Sequence, residues 1–339
     1  MSPGTAADVT HDRTVAWFQP HCARQVTVTR LICGVDVSGE TLDCRLGQDG
    51  PCLETARTAE GIGRLARFCR EHAVELVVME ATGAYERMVF SLLWEAGIAC
   101  AIVNPRSVRR FAEAMGFLEK TDRTDAGQIA RYAEVKGIVA QEPASPSQQR
   151  LRALVTRLRQ LTDLSVAQAN QRRLVEEPDV LEGVEELLKL VKRQIRKLEA
   201  QIAELIDSDP LWRAFDEAFR SIKGVADRTV ARLMADLPEI GTLSNKAIAK
   251  LAGLAPMAKD SGKRKGKRSI RGGRTSVRSI LFVVASVVSR HNADFKDFHQ
   301  RLSVEGRTKK AVRIAVARKL LVRLNAKARE IRHTFANAT

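Results

Sequence analysis

LICGVDVSGETLDCRLGQDGPCLETA, residues 31–56, reads as three consecutive strands joined by tight turns. Leu31–Val37 is apolar apart from Asp36, Thr41–Leu46 follows a Gly39-Glu40 turn, and Cys52–Arg57 follows Gly50-Pro51. Beyond them, helix and strand signals alternate. Thr58–His72 is amphipathic at helical spacing, with Ile62, Leu65, Ala66 and Cys69 on one side. Leu76–Met79 is an apolar strand ending at Glu80. Tyr85–Ala96 reads as a helix, Ile98–Val103 as a strand, and Val108–Met115 and Asp122–Val135 as helices.

A strand meander feeding a βαβ half gives a mixed sheet covered by helices. That is the order of an α/β ribonuclease-H-like domain, expected over residues 30–140. Glu142–Pro146 (Glu-Pro-Ala-Ser-Pro) reads as a linker. Two long helices follow, over 147–176 and 180–207, broken near Pro178. Val184, Leu188, Val191, Ile195, Leu198, Ile202 and Leu205 recur at alternating steps of four and three, a heptad seam. Both a projecting helical hairpin or coiled coil at 147–207 and an ordinary helical domain fit this pattern. Residues 211–332 then read as a mostly α C-terminal domain. Its Phe219–Leu237 segment resembles a helix-hairpin-helix, whose turn at Lys223 and Gly224 would offer backbone amides to a phosphate. A plain packed helix pair fits the same residues, because Ala226 stands where the motif carries a second Gly.

The 339 residues suffice for two or three domains with their own cores. No apolar run approaches the ~20 residues that span a bilayer, so no membrane partner is expected. Residues 1–29 are polar, carry Pro3 and Pro20 and lack a signal-peptide core. They read as a loose extension on a cytoplasmic protein. Of the six cysteines, Cys22, Cys33, Cys44, Cys52, Cys69 and Cys100, none forms a C-x-x-C pair, and reduced buried thiols are expected.

The net charge of +16 is unevenly placed. Residues 259–339 hold 22 Lys/Arg against 5 Asp/Glu, a net +17, and the remaining residues sum to −1. Such a segment attracts a polyanion and releases its counterions. A solvated basic surface or a membrane-surface helix is the plainer alternative. Gly, Ser and Thr mixed among the arginines favour nucleic acid.

Four acids stand out by position. Asp36 lies in the first strand and Glu80 ends the later apolar strand. Asp122 and Asp125 share one face at the start of a helix. In a ribonuclease-H-like sheet these elements converge, and four carboxylates there can hold two Mg²⁺ or Mn²⁺ ions ~4 Å apart on a phosphodiester. Each acid alone is more often a turn or helix-start residue. Their order on these elements favours a site.

Gly34-Val35-Asp36-Val37-Ser38, Glu80-Ala81-Thr82-Gly83 with Tyr85-Glu86, Val103-Asn104-Pro105 and Lys120-Thr121-Asp122-Arg123-Thr124-Asp125-Ala126 together resemble the DEDD transposases. This is the insertion-sequence family related to the Piv-type DNA invertases. Leu251-Ala252-Gly253-Leu254-Ala255-Pro256, Asp260-Ser261-Gly262, Gly272-Gly273-Arg274 and Arg318-Lys319-Leu320-Leu321 resemble its second domain. The chain departs from the family pattern at Gly39 and Ala226.

The resemblance implies a RuvC-like domain with metal-bound Asp36, Glu80, Asp122 and Asp125, and a serine nucleophile at Ser261. It implies cleavage and rejoining of donor and target DNA through a phosphoserine intermediate. A structured guide RNA and homodimers pairing into homotetramers come with it. Lys263, Arg264, Lys265, Lys267, Arg268, Arg271 and Arg274 around the nucleophile are expected to hold phosphates. Two other functions fit the residues: a metal-dependent, junction-resolvase-like nuclease in which Ser261 is inert, and a non-catalytic nucleic-acid-binding protein.

Overall fold

The computed structural model describes residues 30–117, 122–258, 260–261, 266 and 268–337, with the side chains of 122–124 also outside the description. The 1–29 extension, Cys22, and Lys263, Arg264, Lys265 and Lys267 therefore lie outside the described residues, as does the Asp122 side chain. The chain divides into two compact units, Met1–Pro143 and Ala144–Thr339.

The N-terminal unit is built on one five-stranded sheet in the order β3-β2-β1-β4-β5. β1 (Ile32–Val37), β2 (Thr41–Leu46) and β3 (Cys52–Ala56) form an antiparallel meander. β4 (Leu76–Glu80) runs parallel to β1, and β5 (Cys100–Val103) parallel to β4. This is the mixed sheet expected from the sequence. β1 and β4 are apolar apart from Asp36 and Glu80 because both of their faces are covered. On one face Cys33, Val35, Val77 and Met79 pack with Ile62, Leu65 and Cys69 of α1 (Ala59–Glu71) and with Val89, Phe90 and Leu93 of α2 (Glu86–Glu95). On the other, Ile32 and Val78 pack with Val108 of α3 (Pro105–Ala114) and with Ile129, Ala130 and Ala133 of α4 (Asp122–Lys136).

Local chemistry sets the helix starts. Thr58 accepts from the Gly61 amide ahead of α1, and Asn104 accepts from Arg106 N ahead of α3, where Pro105 occupies the first turn. Cys33, Cys44, Cys69 and Cys100 are buried free thiols. Burial raises the Cys100 pKa to about 12, which keeps it an unreactive thiol.

The C-terminal unit is helical around a single core. α5 (Pro146–Arg172) and α6 (Pro178–Asp207) form an antiparallel pair, and Pro178 opens α6 at a position where its missing N–H costs nothing. Leu188, Val191, Ile195 and Ile202 of the heptad seam are buried. Leu205 is partly buried and packs against the core beside the buried Ile206, in line with the drift of a straight 3.6-residue helix against a seven-residue repeat. Leu151, Val155 and Leu158 of α5 and Ile202 and Ile206 of α6 share this core with α7 (Pro210–Arg220) and α8 (Asp227–Asp236). α9 (Asn245–Leu251), α10 (Thr275–His291), α11 (Ala293–Val304) and α12 (Lys309–Asn337) complete it. Two short strands, β6 (Pro256–Met257) and β7 (Ser269–Ile270), pair antiparallel between α9 and α10. Among the described residues no helix is long and apolar enough to cross a membrane.

Candidate active site

In the N-terminal unit the sheet register decides where the acids fall. Side chains alternate along a strand, so Asp36 shares a face with Ile32 and Gly34, and Glu80 shares one with Leu76 and Val78. Ile32, Leu76 and Val78 all pack beneath α4, so both acids stand on the α4 face. Val35 pairs with Met79, so Asp36 and Glu80 leave the ends of adjacent parallel strands one step further on. Gly34 is what lets α4 come this close. A Cβ there would stand 2.0 Å from Ala126 O and 2.7 Å from Ala130 N. On α4, Asp125 precedes Ala126 and lies one turn before Ile129, on the sheet-facing stripe. Asp122 opens the same helix.

The structure thus assembles Asp36, Glu80 and Asp125 on converging elements. Among the described residues, no three acidic, His or Cys side chains stand together as a metal-holding group. Carboxylate oxygens are nonetheless the donors that Mg²⁺ or Mn²⁺ takes. The surroundings fit an ion or ordered water as well. Arg45 Nε, Thr82 Oγ1 and Gln128 Oε1 are the buried side-chain polar atoms without a hydrogen-bond partner among the described residues. Arg45 pairs with Gly34 and so faces α4, Thr82 lies two residues beyond Glu80, and Gln128 lies three beyond Asp125. Orphaned buried groups are rare and cluster where water, an ion or substrate completes them.

Two further residues shape this site, Glu86, which the family motif includes without a role, and Arg57, which no motif includes. Glu86 is buried, and its Oε2 accepts from Thr82 N at 3.1 Å and Ala84 N at 2.9 Å, tying down the loop after Glu80. Ala84 in that loop has φ 96°, a strained value for a residue with a Cβ. Arg57 donates to Gly39 O and lies 4.7 Å over the Tyr85 ring, so it bridges the turn after Asp36 and the loop after Glu80. Their signal was local: Glu86 follows a Gly-Ala turn, a position from which a carboxylate reaches back to loop amides.

In the C-terminal unit Ser261 is exposed within the segment joining β6 to β7. Asp260 closes that segment. Its Oδ1 accepts from Gly266 N at 3.0 Å, and its Oδ2 pairs with Arg268 at 3.1 Å. The base of the hairpin is a close backbone contact. A Cβ on Gly273 (φ 71°) would meet Gly253 N at 2.2 Å. The Leu251–Pro256 and Gly272–Arg274 motifs thereby touch.

The expected phosphate contacts differ in their surroundings. Arg271 is exposed. Arg274 Nη1 and Nη2 each reach a Glu239 oxygen at 2.5 Å, and Nη1 also donates to Asp236 O. Burial alone would raise the Glu239 pKa, but these bonds from Arg274 hold it below the usual carboxylate range. Lys223 is exposed, and Gly224 (φ 105°) turns its missing Cβ toward Val288 of α10. The start of α8 beside them carries Asp227, which pairs with Arg220. Asp227, Asp216, Asp207 and Glu199 line one recess of about 600 Å³ there. Four carboxylates against Arg220 and Arg228 make that recess a poor host for a phosphate.

Residues 33–175 match the DEDD transposase family of the IS110 type, and residues 216–300 match the transposase family IS116/IS110/IS902. The pilin gene-inverting protein of Moraxella lacunata is 30% identical over 320 residues, covering 87% of this chain and 94% of that protein. That of Moraxella bovis is 28% identical over 314 residues, with the same coverage of each. T. thermophilus RuvC in complex with a Holliday junction substrate matches at 18% identity and a TM-score of 0.24, covering 32% of this chain and 98% of that one. With two family models matched in order and a relative aligned over most of both lengths, the chain belongs to the IS116/IS110/IS902 transposase family.

Proposed function

We propose that this transposase cuts and rejoins DNA strands by a divalent-metal-dependent reaction in which Ser261 is the attacking nucleophile. The observation that carries the reading is the placement of Asp36 and Glu80 at the ends of adjacent parallel strands, under the helix bearing Asp122 and Asp125. These four carboxylates would hold the metal. When bound, Mg²⁺ or Mn²⁺ would supply charge stabilisation at the phosphoryl oxygens.

The chain's own residues do the rest. Ser261 Oγ forms a bond to the scissile phosphorus as the bond from phosphorus to the departing strand's oxygen breaks. The serine proton passes to solvent and the departing oxygen takes one up. Attack by a DNA hydroxyl on the phosphoserine reverses these steps and restores a phosphodiester without ATP. Asp260 positions Ser261 by closing its segment onto Gly266 and Arg268. Lys263, Arg264, Lys265, Lys267, Arg268 and Arg271 would meet phosphates. Membership of the family supports pairing of donor and target DNA by a guide RNA, and action as homodimers and homotetramers in the cytoplasm.

The test pairs cleavage with metal binding. Asp36→Asn and Glu80→Gln are each expected to lower strand cleavage by at least about a hundredfold. Each should also abolish the rise in melting temperature that Mn²⁺ gives the wild-type protein, while DNA binding persists. Cleavage at the wild-type rate by Asp36→Asn would remove the carboxylates from the reaction.

A further inference from the structure

A second recess in the C-terminal unit has no part in the chemistry above. It encloses about 550 Å³ between β7, the first half of α10 and the start of α12. Its lining is apolar at Ile270, Phe282, Val283 and Ile314 and cationic at Arg271, Arg278 and Lys310. Among the described residues no carboxylate lines it. The Arg313 guanidinium lies 4.8 Å over the Phe282 ring and takes one of its two faces, so a stacked base would use the other. The acid-lined recess beside α8 has the opposite character.

The cationic lining is partly built and partly available. Arg278 is fixed by bonds to Gly272 O at 2.6 Å and Thr275 Oγ1 at 3.3 Å. Arg271 and Lys310 form no ion pair among the described residues, so their charge is not neutralised. An aromatic ring beside cations fits a nucleotide with its base face exposed, whose base can stack while its phosphates meet the cations. A paired duplex offers phosphates but hides its base faces and would leave the Phe282 ring without a stacked base. β7 ends at Ile270 in the recess wall and closes the segment that carries Ser261.

We propose that this recess holds an unpaired nucleotide of the DNA strand that Ser261 attacks, with its base on Phe282 and its phosphates on Arg271 and Lys310. The inference rests on the proposed role of Ser261 and adds the strand-holding subsite that role requires. DNA is favoured over RNA because the recess shares β7 with the nucleophile's segment.

The experiment titrates full-length protein against a short single-stranded DNA carrying one 2-aminopurine. A duplex and an RNA of the same sequence are titrated alongside. Wild-type protein should quench the probe through stacking. Phe282→Leu should weaken single-strand DNA binding at least about fivefold and lift the quench, with duplex binding unchanged. Arg271→Ala combined with Lys310→Ala should lower the log–log salt slope for single strands by about 1.4, and it keeps the test open if Phe282→Leu folds poorly. Wild-type single-strand affinity and salt slope in these variants would overturn the proposal. A loss confined to the RNA would overturn it in favour of an RNA site. The Ser261 reading is judged separately by covalent capture of DNA, so failure of the recess leaves that result intact.

Discussion

Gly34 lacks a side chain because α4 occupies the space where one would be. Replacing it with Ala puts a methyl group 2.0 Å from Ala126 O, against backbone that cannot step aside as a flexible side chain would. Gly34→Ala is expected to cost about 2–3 kcal/mol of stability in the N-terminal unit, read as a lowered urea midpoint. An unchanged midpoint would mean that α4 does not rest on β1. Asp36 and Glu80 were legible in the sequence because each breaks or ends an apolar run. Glu86 and Asp260 were not, because their partners are loop amides two to six residues away, a pattern that many surface acids share. Arg274 shows the same limit at longer range. It reads as one more cation in a basic segment, yet it grips Glu239, 35 residues earlier.

At the scale of elements, the sequence read best where periodicity was strong. The apolar runs of β1 and β4 and the single apolar stripe of α1 left one reading each, whereas the α6 seam fitted both a projecting hairpin and an ordinary helical domain. α9 is seven residues long, under two helical turns, and β6 and β7 have two residues each, so none repeats its period often enough to leave a pattern. They are held by tertiary contact, such as the Gly253–Gly273 approach, which no local pattern announces. α11 carries Phe295, Phe298 and Leu302 at helical spacing among charges, a stripe too thin to stand out. The β6–β7 segment belongs to this scale as a functional element. Replacing Lys263, Arg264, Lys265 and Lys267 with Ala together should flatten the salt dependence of duplex DNA binding. The expected change is about 0.9 in log–log slope for each side chain that meets a phosphate. An unchanged slope would place those cations away from DNA. Lys223, beside the acid-lined recess, is expected to contribute little to the same slope.

Across the whole molecule, charge and chemistry are divided between the units. The N-terminal unit places Asp36 and Glu80 at the ends of adjacent parallel strands, on the sheet face that α4 covers. The net +17 of residues 259–339 lies in the C-terminal unit with Ser261, where it can hold the polyanionic substrate. Family membership connects this division to DNA recombination. The choice between strand exchange and simple hydrolysis then turns on one bond. If Ser261 is the nucleophile, the DNA must become covalently attached to the protein before rejoining. If water attacks, it never does.

The most direct measurement traps that bond with a nicked suicide DNA substrate, which lets the departing strand escape. The products are resolved on a denaturing gel, and any protein–DNA adduct is mapped by peptide sequencing. The expected result is an adduct at Ser261 that disappears in Ser261→Ala and in Asp36→Asn. Full recombination by Ser261→Ala, with no adduct in the wild-type protein, would contradict the account and leave water or a DNA hydroxyl as the nucleophile.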